Sequence, residues 1–262
     1  MLNKKIVAVI PARMAASRFP GKPLAKILDL PMIEHVRRRV HLCEIIDEVY
    51  VATCDQEIAE VVRGFGGKII MTAPTHQRCT DRVEEAARNI DCDIVLIFQG
   101  DEPLFIPEVT GKLIDPILKD ESVLCTNLLS VIKHEEDLSD QDVIKTVLNC
   151  KNQIMYFSRS SIPYLRVRNQ SLWYRQTGLS AFKKEFLELF ARLSATPLEI
   201  SESIDFLRIL EHGFPMTGVI YDNRTVGVDR PDDIKIVEEI LQTNPSQREL
   251  YQKITEIKSQ VQ

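Results

Sequence analysis

Apolar and polar positions along this chain follow two alternating periods. Short runs dense in aliphatic residues, Ile6–Ile10, Glu48–Ala52, Lys68–Met71 and Ile94–Phe98, have the length of buried strands. Between them, Met32–Cys43, Gln56–Phe65 and Asp81–Ile90 carry apolar residues at helical spacing. Ile33, Val36 and Val40 share one helical face, and Arg37 to Arg39 are expected to lean outward. Strand–helix–strand repetition predicts an α/β fold, a mostly parallel sheet with helices on both faces. Ligands on such sheets bind at the carboxyl ends of the strands. That rule singles out the segments after each run: 11–23, 53–55, 72–81 and 99–103.

The rhythm changes after Leu118. Segments 123–131, 143–149 and 153–157 read as strands without intervening helices. A long helix is predicted from about Pro197 to Glu211, with Gly213 as its C-cap. The chain then returns through Met216–Val219 and a short strand ending at Asp229 to a helix near Asp232–Leu241. A polar-faced helix is predicted over 246–258. With no repeat and no Gly/Ser-rich linker, the outline is one doubly wound domain over residues 1–245, with a mixed-sheet excursion at about 120–215 and a helical tail at 246–262.

Composition narrows the function classes. The 262 residues include 33 basic and 38 acidic side chains, a net charge of −5 that argues against a nucleic-acid coat but leaves room for a local basic pocket. An apolar fraction of 44% supports a sizeable core, and Gly and Pro are too few for a disordered or collagen-like chain. No apolar run reaches the ~20 residues that span a bilayer, and Ile6–Ile10 runs straight into Pro11 and Arg13, which reads as a strand and not a signal peptide. A cytoplasmic location is the expectation. The six cysteines form no C-x-x-C pair, so zinc and disulfides are not expected, and most should be small core residues.

Four segments carry candidate chemistry. Pro11-Ala12-Arg13 through Ser17, Arg18 and Lys22 follows the first strand and combines three cations, a hydroxyl and small residues, which suits a polyphosphate. It matches neither a Walker A sequence nor a G-x-G-x-x-G fingerprint, and a solvated basic loop would have the same composition. Gln99-Gly100-Asp101 ends the Ile94–Phe98 run. A carboxylate there needs a cation or several hydrogen bonds, and Asp101 suits Mg²⁺ bridging to a phosphate or an ordinary Asp turn. Asp229 lies at a second predicted strand end; it could share that metal or act as a cap, with Asp232 capping the next helix. Thr72 through Arg82 offers Thr72, His76, Arg78, Thr80 and Asp81 to a base edge. Thr80 or Asp81 is also expected to cap the following helix, and His76 is given no acid–base role.

Together these blocks resemble the CMP-Kdo synthetases, the 3-deoxy-manno-octulosonate cytidylyltransferases. The resemblance runs from about residue 5 to 241. It is carried by Ile10-Pro-Ala-Arg13, Ser17-Arg18-Phe-Pro-Gly-Lys22-Pro-Leu24, Val51-Ala-Thr-Cys-Asp55, His76-Gln-Arg-Cys-Thr80-Asp81-Arg82, Gln99-Gly-Asp101-Glu-Pro103, Tyr156-Phe-Ser158-Arg159-Ser-Ser-Ile-Pro163 and Gly227-Val-Asp229-Arg-Pro231, in family order. It implies a Rossmann-like nucleotide-diphospho-sugar transferase fold. It also implies Mg²⁺-dependent transfer of CMP from CTP to the anomeric hydroxyl of a 3-deoxy-ulosonic acid, with pyrophosphate released. Such a product feeds lipopolysaccharide assembly. By position, Arg13 and Lys22 would hold the triphosphate and Asp101 and Asp229 the Mg²⁺. The 72–82 loop would lie over cytosine with Thr80 near the base. Gln99 and Arg159 would face the sugar acid, Arg159 near its carboxylate. The resemblance further implies a homodimer built through the 120–175 region.

The chain departs from the family around the acceptor. The family's Lys/Arg-His-x-Gly-x-Tyr stretch reads here Arg175-Gln176-Thr177-Gly178-Leu179-Ser180, so Gln176 replaces a residue that can carry a proton and Ser180 an aromatic one. Glu199, Glu202 and Asp205 would fall at i, i+3 and i+6 on the predicted 197–211 helix, as sugar contacts or as a solvated face. A different acceptor, such as a nonulosonic acid or a phosphonate, and an inactive nucleotide-binding paralogue are the alternatives these changes leave open.

Overall fold

The computed structural model describes residues 4–15, 18–167, 173–222 and 226–257. In chain order the strands are β1 (Ile6–Pro11), β2 (Lys26–Ile27), β3 (Leu30–Pro31), β4 (Glu48–Thr53), β5 (Lys68–Met71), β6 (Ile94–Phe98), β7 (Cys125–Ile132), β8 (Lys145–Leu148), β9 (Ile154–Ser158), β10 (Trp173–Lys183) and β11 (Thr217–Tyr221). The helices are α1 (Met32–His41), α2 (Gln56–Gly64), α3 (Cys79–Ala87), α4 (Val109–Lys119), α5 (Glu136–Ser139), α6 (Lys184–Arg192), α7 (Pro197–Glu202), α8 (Leu207–Glu211), α9 (Asp233–Thr243) and α10 (Pro245–Glu256). They form two compact units, residues 1–110 with 225–262, and residues 111–224.

In the first unit β6, β1, β4 and β5 lie side by side and all parallel. Val7–Ile10 and Ile94–Phe98 are almost entirely buried, which is why these strands read as continuous apolar runs. Ile27, Met32, Leu104, Val228, Val237 and Leu241 form a further core cluster in the same unit, with Phe19 and Tyr251 packed on it. Val228 is wholly buried there and pins the segment that carries Asp229.

Helix α1 corrects one expectation. Arg37, Arg38 and Arg39 do not lean outward; all three are buried. α10 packs on α1, removing the solvent face that a two-sided helix would keep. Arg37 and Arg38 pair with the buried Glu34, and Arg38 also donates to the Ile254 carbonyl; Arg39 donates from Nη1 to the Phe105 carbonyl, while its Nε and Nη2 are buried without a hydrogen-bond partner. On the same helix, His35 donates from Nε2 to the Ile27 carbonyl at 2.8 Å and stacks on Tyr251. Burial first, and then the neighbouring Arg39 and Arg38, push its pKa down to about 4 despite the Ile27 carbonyl.

An unfolded chain takes up that proton at a pKa near 6.5, so between pH 6.5 and 4 the unfolded state binds more protons than the fold. His35 therefore withdraws about 3 kcal/mol of stability as pH falls through that window and none above it. Urea unfolding at pH 7.5 and 4.5 checks this: the stability gap between wild type and His35→Gln narrows at low pH. An equal gap at both pH values would contradict the assignment.

In the second unit β10 runs antiparallel to β7 and to β8, β8 runs antiparallel to β9, and β11 lies parallel to β7. Three sequence expectations change here. A single turn, α5, separates the strands predicted to have no helix between them. The predicted 197–211 helix is two short helices, α7 and α8, because Ser203 takes a left-handed conformation (φ 56°) and stops α7. Strand β10 and helix α6 were not predicted at all. Of the six cysteines only Cys43 and Cys125 are buried, fewer than expected. Among the described residues no helix is long and apolar enough to cross a membrane.

Candidate active site

The carboxyl ends of β1 and β6 open into a cleft of about 330 Å³ in the first unit. Its walls come from four segments that are distant in sequence. The loop after β1 contributes Pro11, Ala12, Arg13, Arg18, Phe19 and Lys22; the segment before and into α3 contributes His76, Gln77, Arg78, Cys79 and Arg82; and Gln99, Gly100, Asp101 and Asp229 complete the lining. Five cationic side chains thus stand against two carboxylates, a balance suited to a polyanion.

Backbone bonds shape the first loop. Asp55, just past β4, accepts from the Met14 amide at 2.7 Å. Gly21, with φ 76°, closes the loop by donating its amide to the Met14 carbonyl. Lys22 then begins a short 3-10 turn that turns its side chain onto the segments of Asp101 and Asp229. Its Nζ lies 2.7 Å from Asp101 Oδ2, 2.8 Å from the Val228 carbonyl and 3.9 Å from Asp229 Oδ1. The two aspartates, 128 residues apart by number, therefore face one ammonium. Arg18 reaches the same Asp229 oxygen at 3.2 Å.

Two backbone features hold the aspartates there. The Val228 amide donates to the Asp101 carbonyl at 2.9 Å, and a Cβ at Gly100 would stand 3.2 Å from the Pro11 carbonyl, so only glycine lets these loops approach without displacement. Asp229 does not end a strand, as expected; residues 226–229 are irregular, and the segment is fixed instead by Asp233, which accepts from the amides of both Asp229 and Arg230. Asp232 stands at the N-cap position of α9, as expected, but its side chain makes no capping bond.

The wall before and into α3 also differs from expectation. Arg78, not Thr80 or Asp81, stands at the N-cap of α3. Thr80 is wholly buried and Thr72 nearly so; neither they nor Asp81 line the cleft. Thr72 instead accepts a hydrogen bond from Arg82. The residues that reach the opening are His76, Gln77, Arg78 and Cys79, and Gln99 Nε2 meets Cys79 Sγ at 3.7 Å. His76 is clamped to Glu85, which also accepts from the Ala73 amide. Arg82 lies within the 72–82 segment already singled out, whereas Phe19 and Pro23 line the cleft with no signal beyond their nearness to the cations of the first loop. Ser17 lies outside the described residues.

The remaining predicted acceptor residues, Arg159, Gln176, Ser180, Glu199 and Glu202, all belong to the second unit. Arg159 donates from Nε to the Glu202 carbonyl at 2.7 Å and from Nη1 to the Gln141 carbonyl at 2.8 Å. Glu202 accepts from Ser158 Oγ and from the Arg159 amide. Partial burial pushes its carboxyl up, but these bonds and the Tyr156 hydroxyl outweigh that and hold it below the usual carboxylate range. Glu199 is neither a solvated face nor open to a ligand. Its side chain is 2% exposed and paired with Arg208 at 2.6 Å. Asp205 lies beyond the end of α7 and shares no helix with these two. Ser180 is buried opposite Asn127, and Gln176 keeps a buried Oε1 without a hydrogen-bond partner.

Comparison with known proteins shows the family. The cytidylyltransferase family model matches residues 7–223. The 3-deoxy-manno-octulosonate cytidylyltransferase of Geobacter metallireducens is 42% identical over 248 residues, covering 90% of this chain and 98% of that one. Its counterpart in Syntrophus aciditrophicus is 40% identical over 242 residues, covering 91% and 98%. A solved CMP:2-keto-3-deoxy-manno-octonic acid synthetase complexed with CTP superposes with a TM-score of 0.86 at 34% identity, covering 91% of this chain and 98% of that one. The 4-diphosphocytidyl-2C-methyl-D-erythritol synthase of Anaerococcus prevotii, at 16% identity and a TM-score of 0.62, shares the fold alone. The chain belongs to the cytidylyltransferase family, among the 3-deoxy-manno-octulosonate cytidylyltransferases.

Proposed function

We infer that this protein transfers CMP from CTP to the anomeric hydroxyl of a 3-deoxy-ulosonic acid, Kdo or a close analogue, and releases pyrophosphate. The observation that carries the reading is the convergence of Lys22, Asp101 and Asp229 in a cation-rich cleft at the strand ends, in a chain whose relatives bear that activity in their names. The hydroxyl oxygen attacks the α-phosphorus as the bond to the bridging oxygen breaks. Arg13 and Lys22 hold the triphosphate and stabilise the charge that builds on the departing pyrophosphate, since phosphoryl-type transfer rests on positioning and electrostatics. Arg18 extends this cationic wall. Gln77, Arg78 and Cys79 are the candidates for the base, and Arg159 is the candidate for the acceptor's carboxylate.

Asp101 and Asp229 would hold Mg²⁺. Two carboxylates already gathered around one cation form the sparse protein donor set that Mg²⁺ takes when phosphate oxygens and water complete its shell. Bound there, the ion would neutralise phosphate charge. Among the described residues no cluster of three or more His, Cys, Asp or Glu offers a metal a site of its own. We further propose a homodimer, as the resemblance implies. The test of the activity is pyrophosphate release with CTP and Mg²⁺ across a panel of ulosonic acids: turnover with Kdo or a near relative is expected, and silence across the panel would remove the assignment.

A further inference from the structure

Lys145, on β8, is wholly buried, yet among the described residues no carboxylate lies in ion-pair contact with it; those of Asp140 and Glu202 act on it only from farther off. Its Nζ donates to three main-chain carbonyls: Asp140 at 2.8 Å, Val143 at 2.7 Å and Arg159. Taking an ammonium out of water is costly, and a methionine would fill the same space without that cost. Packing alone does not explain a lysine here.

The three carbonyls explain it. Two of them, on Asp140 and Val143, bracket Gln141, whose own carbonyl accepts from Arg159 Nη1. The third belongs to Arg159 itself. Register places Lys145 directly across from Ser158, one residue before Arg159, so a single side chain reaches both segments. The Arg159 guanidinium is consequently fixed at Nε and Nη1, both on neutral carbonyls, and its Nη2 has no acceptor among the described residues. Among the described residues no carboxylate lies in ion-pair contact with the guanidinium; the nearby Glu202 carboxylate is engaged by Ser158 and the Arg159 amide and acts on it only from farther off, which leaves Nη2 for an anionic ligand.

We propose that Lys145 is a positioning residue for acceptor binding: by tying the 140–143 turn and the Arg159 carbonyl to one ammonium, it aims the Arg159 guanidinium at the acceptor's carboxylate. This rests on the reading that Arg159 binds that carboxylate, and the experiment separates the two claims. Steady-state kinetics with CTP and 3-deoxy-manno-octulosonate are measured for wild type, Lys145→Met, Arg159→Ala and the double variant. Arg159→Ala raises the acceptor KM by roughly 10- to 100-fold, the loss expected for a charge-assisted contact, and leaves the CTP KM unchanged. Lys145→Met raises the acceptor KM by about 10-fold, also without changing the CTP KM, and adds nothing once Arg159 is gone. An unchanged acceptor KM in Arg159→Ala overturns the role of Arg159. A raised KM there, with Lys145→Met at wild-type values or multiplying the Arg159→Ala effect in full, overturns the positioning role alone. Should Lys145→Met fail to fold, Lys145→Arg gives the same comparison, because it keeps the charge and loses the three-carbonyl geometry.

Discussion

Asp101→Asn lowers kcat by about 10³-fold while leaving the fold and its thermal transition in place. The substitution keeps size and one acceptor oxygen, so the contact with Lys22 weakens without opening a cavity. What is lost is the negative charge that, with Asp229, makes the strand ends able to hold Mg²⁺ against the triphosphate. Lys22 lies 2.7 Å from Asp101 and is only slightly exposed, so with one carboxylate neutral it still has Asp229 and the Val228 carbonyl. Residual activity from this remaining positioning is therefore expected, in place of complete silence. Pyrophosphate release at saturating CTP, Mg²⁺ and acceptor checks this; a variant within a few-fold of wild type would remove Asp101 from the machinery.

Arg208→Met has the largest expected effect on stability, a loss of about 3–5 kcal/mol in the second unit. Arg208 and Glu199 are both nearly inaccessible and make a two-pronged pair at 2.9 and 2.6 Å, and the guanidinium also lies 4.5 Å from the centre of the Phe190 ring. Removing the arginine leaves the buried Glu199 carboxylate with the Thr196 amide but without its countercharge, whereas Glu199→Leu combined with Arg208→Met leaves no charge buried at this pair and recovers much of the loss. Urea unfolding of the two variants makes the comparison. Equal losses in the single and double variants would mean that packing, and not the orphaned charge, sets the cost.

How much was legible in the sequence depended on whether burial was two-sided. β1 and β6 are buried on both faces, so their apolar runs were readable almost to the residue. So was the position of the cleft, because the rule that ligands sit at strand ends needs only the strands. The Arg37–Arg39 burial was not readable, since the helix that covers α1 comes from the other end of the chain. β10 was missed because Arg175, Gln176, Thr177 and Ser180 break any alternation. The bulge between Gln176 and Ser180 is accommodated by β7, where Asn127 donates to the Thr177 and Leu179 carbonyls and the Leu128 carbonyl accepts from the Thr177 hydroxyl. The Phe186, Leu187 and Phe190 spacing of α6 is a helical signal that the sequence outline left unused. Glu199 looked like a ligand or a solvated face because its partner, Arg208, lies on a second helix that the unbroken 197–211 reading hid.

The central claim is that Asp101 and Asp229 together hold a divalent ion on the nucleotide's phosphates. Titration of Mn²⁺ into the protein, followed by electron paramagnetic resonance with and without CTP, tests it without relying on turnover. The claim predicts a protein-bound Mn²⁺ signal that requires CTP and is lost in both Asp101→Asn and Asp229→Asn. The same CTP-dependent signal persisting unchanged in either variant would contradict it.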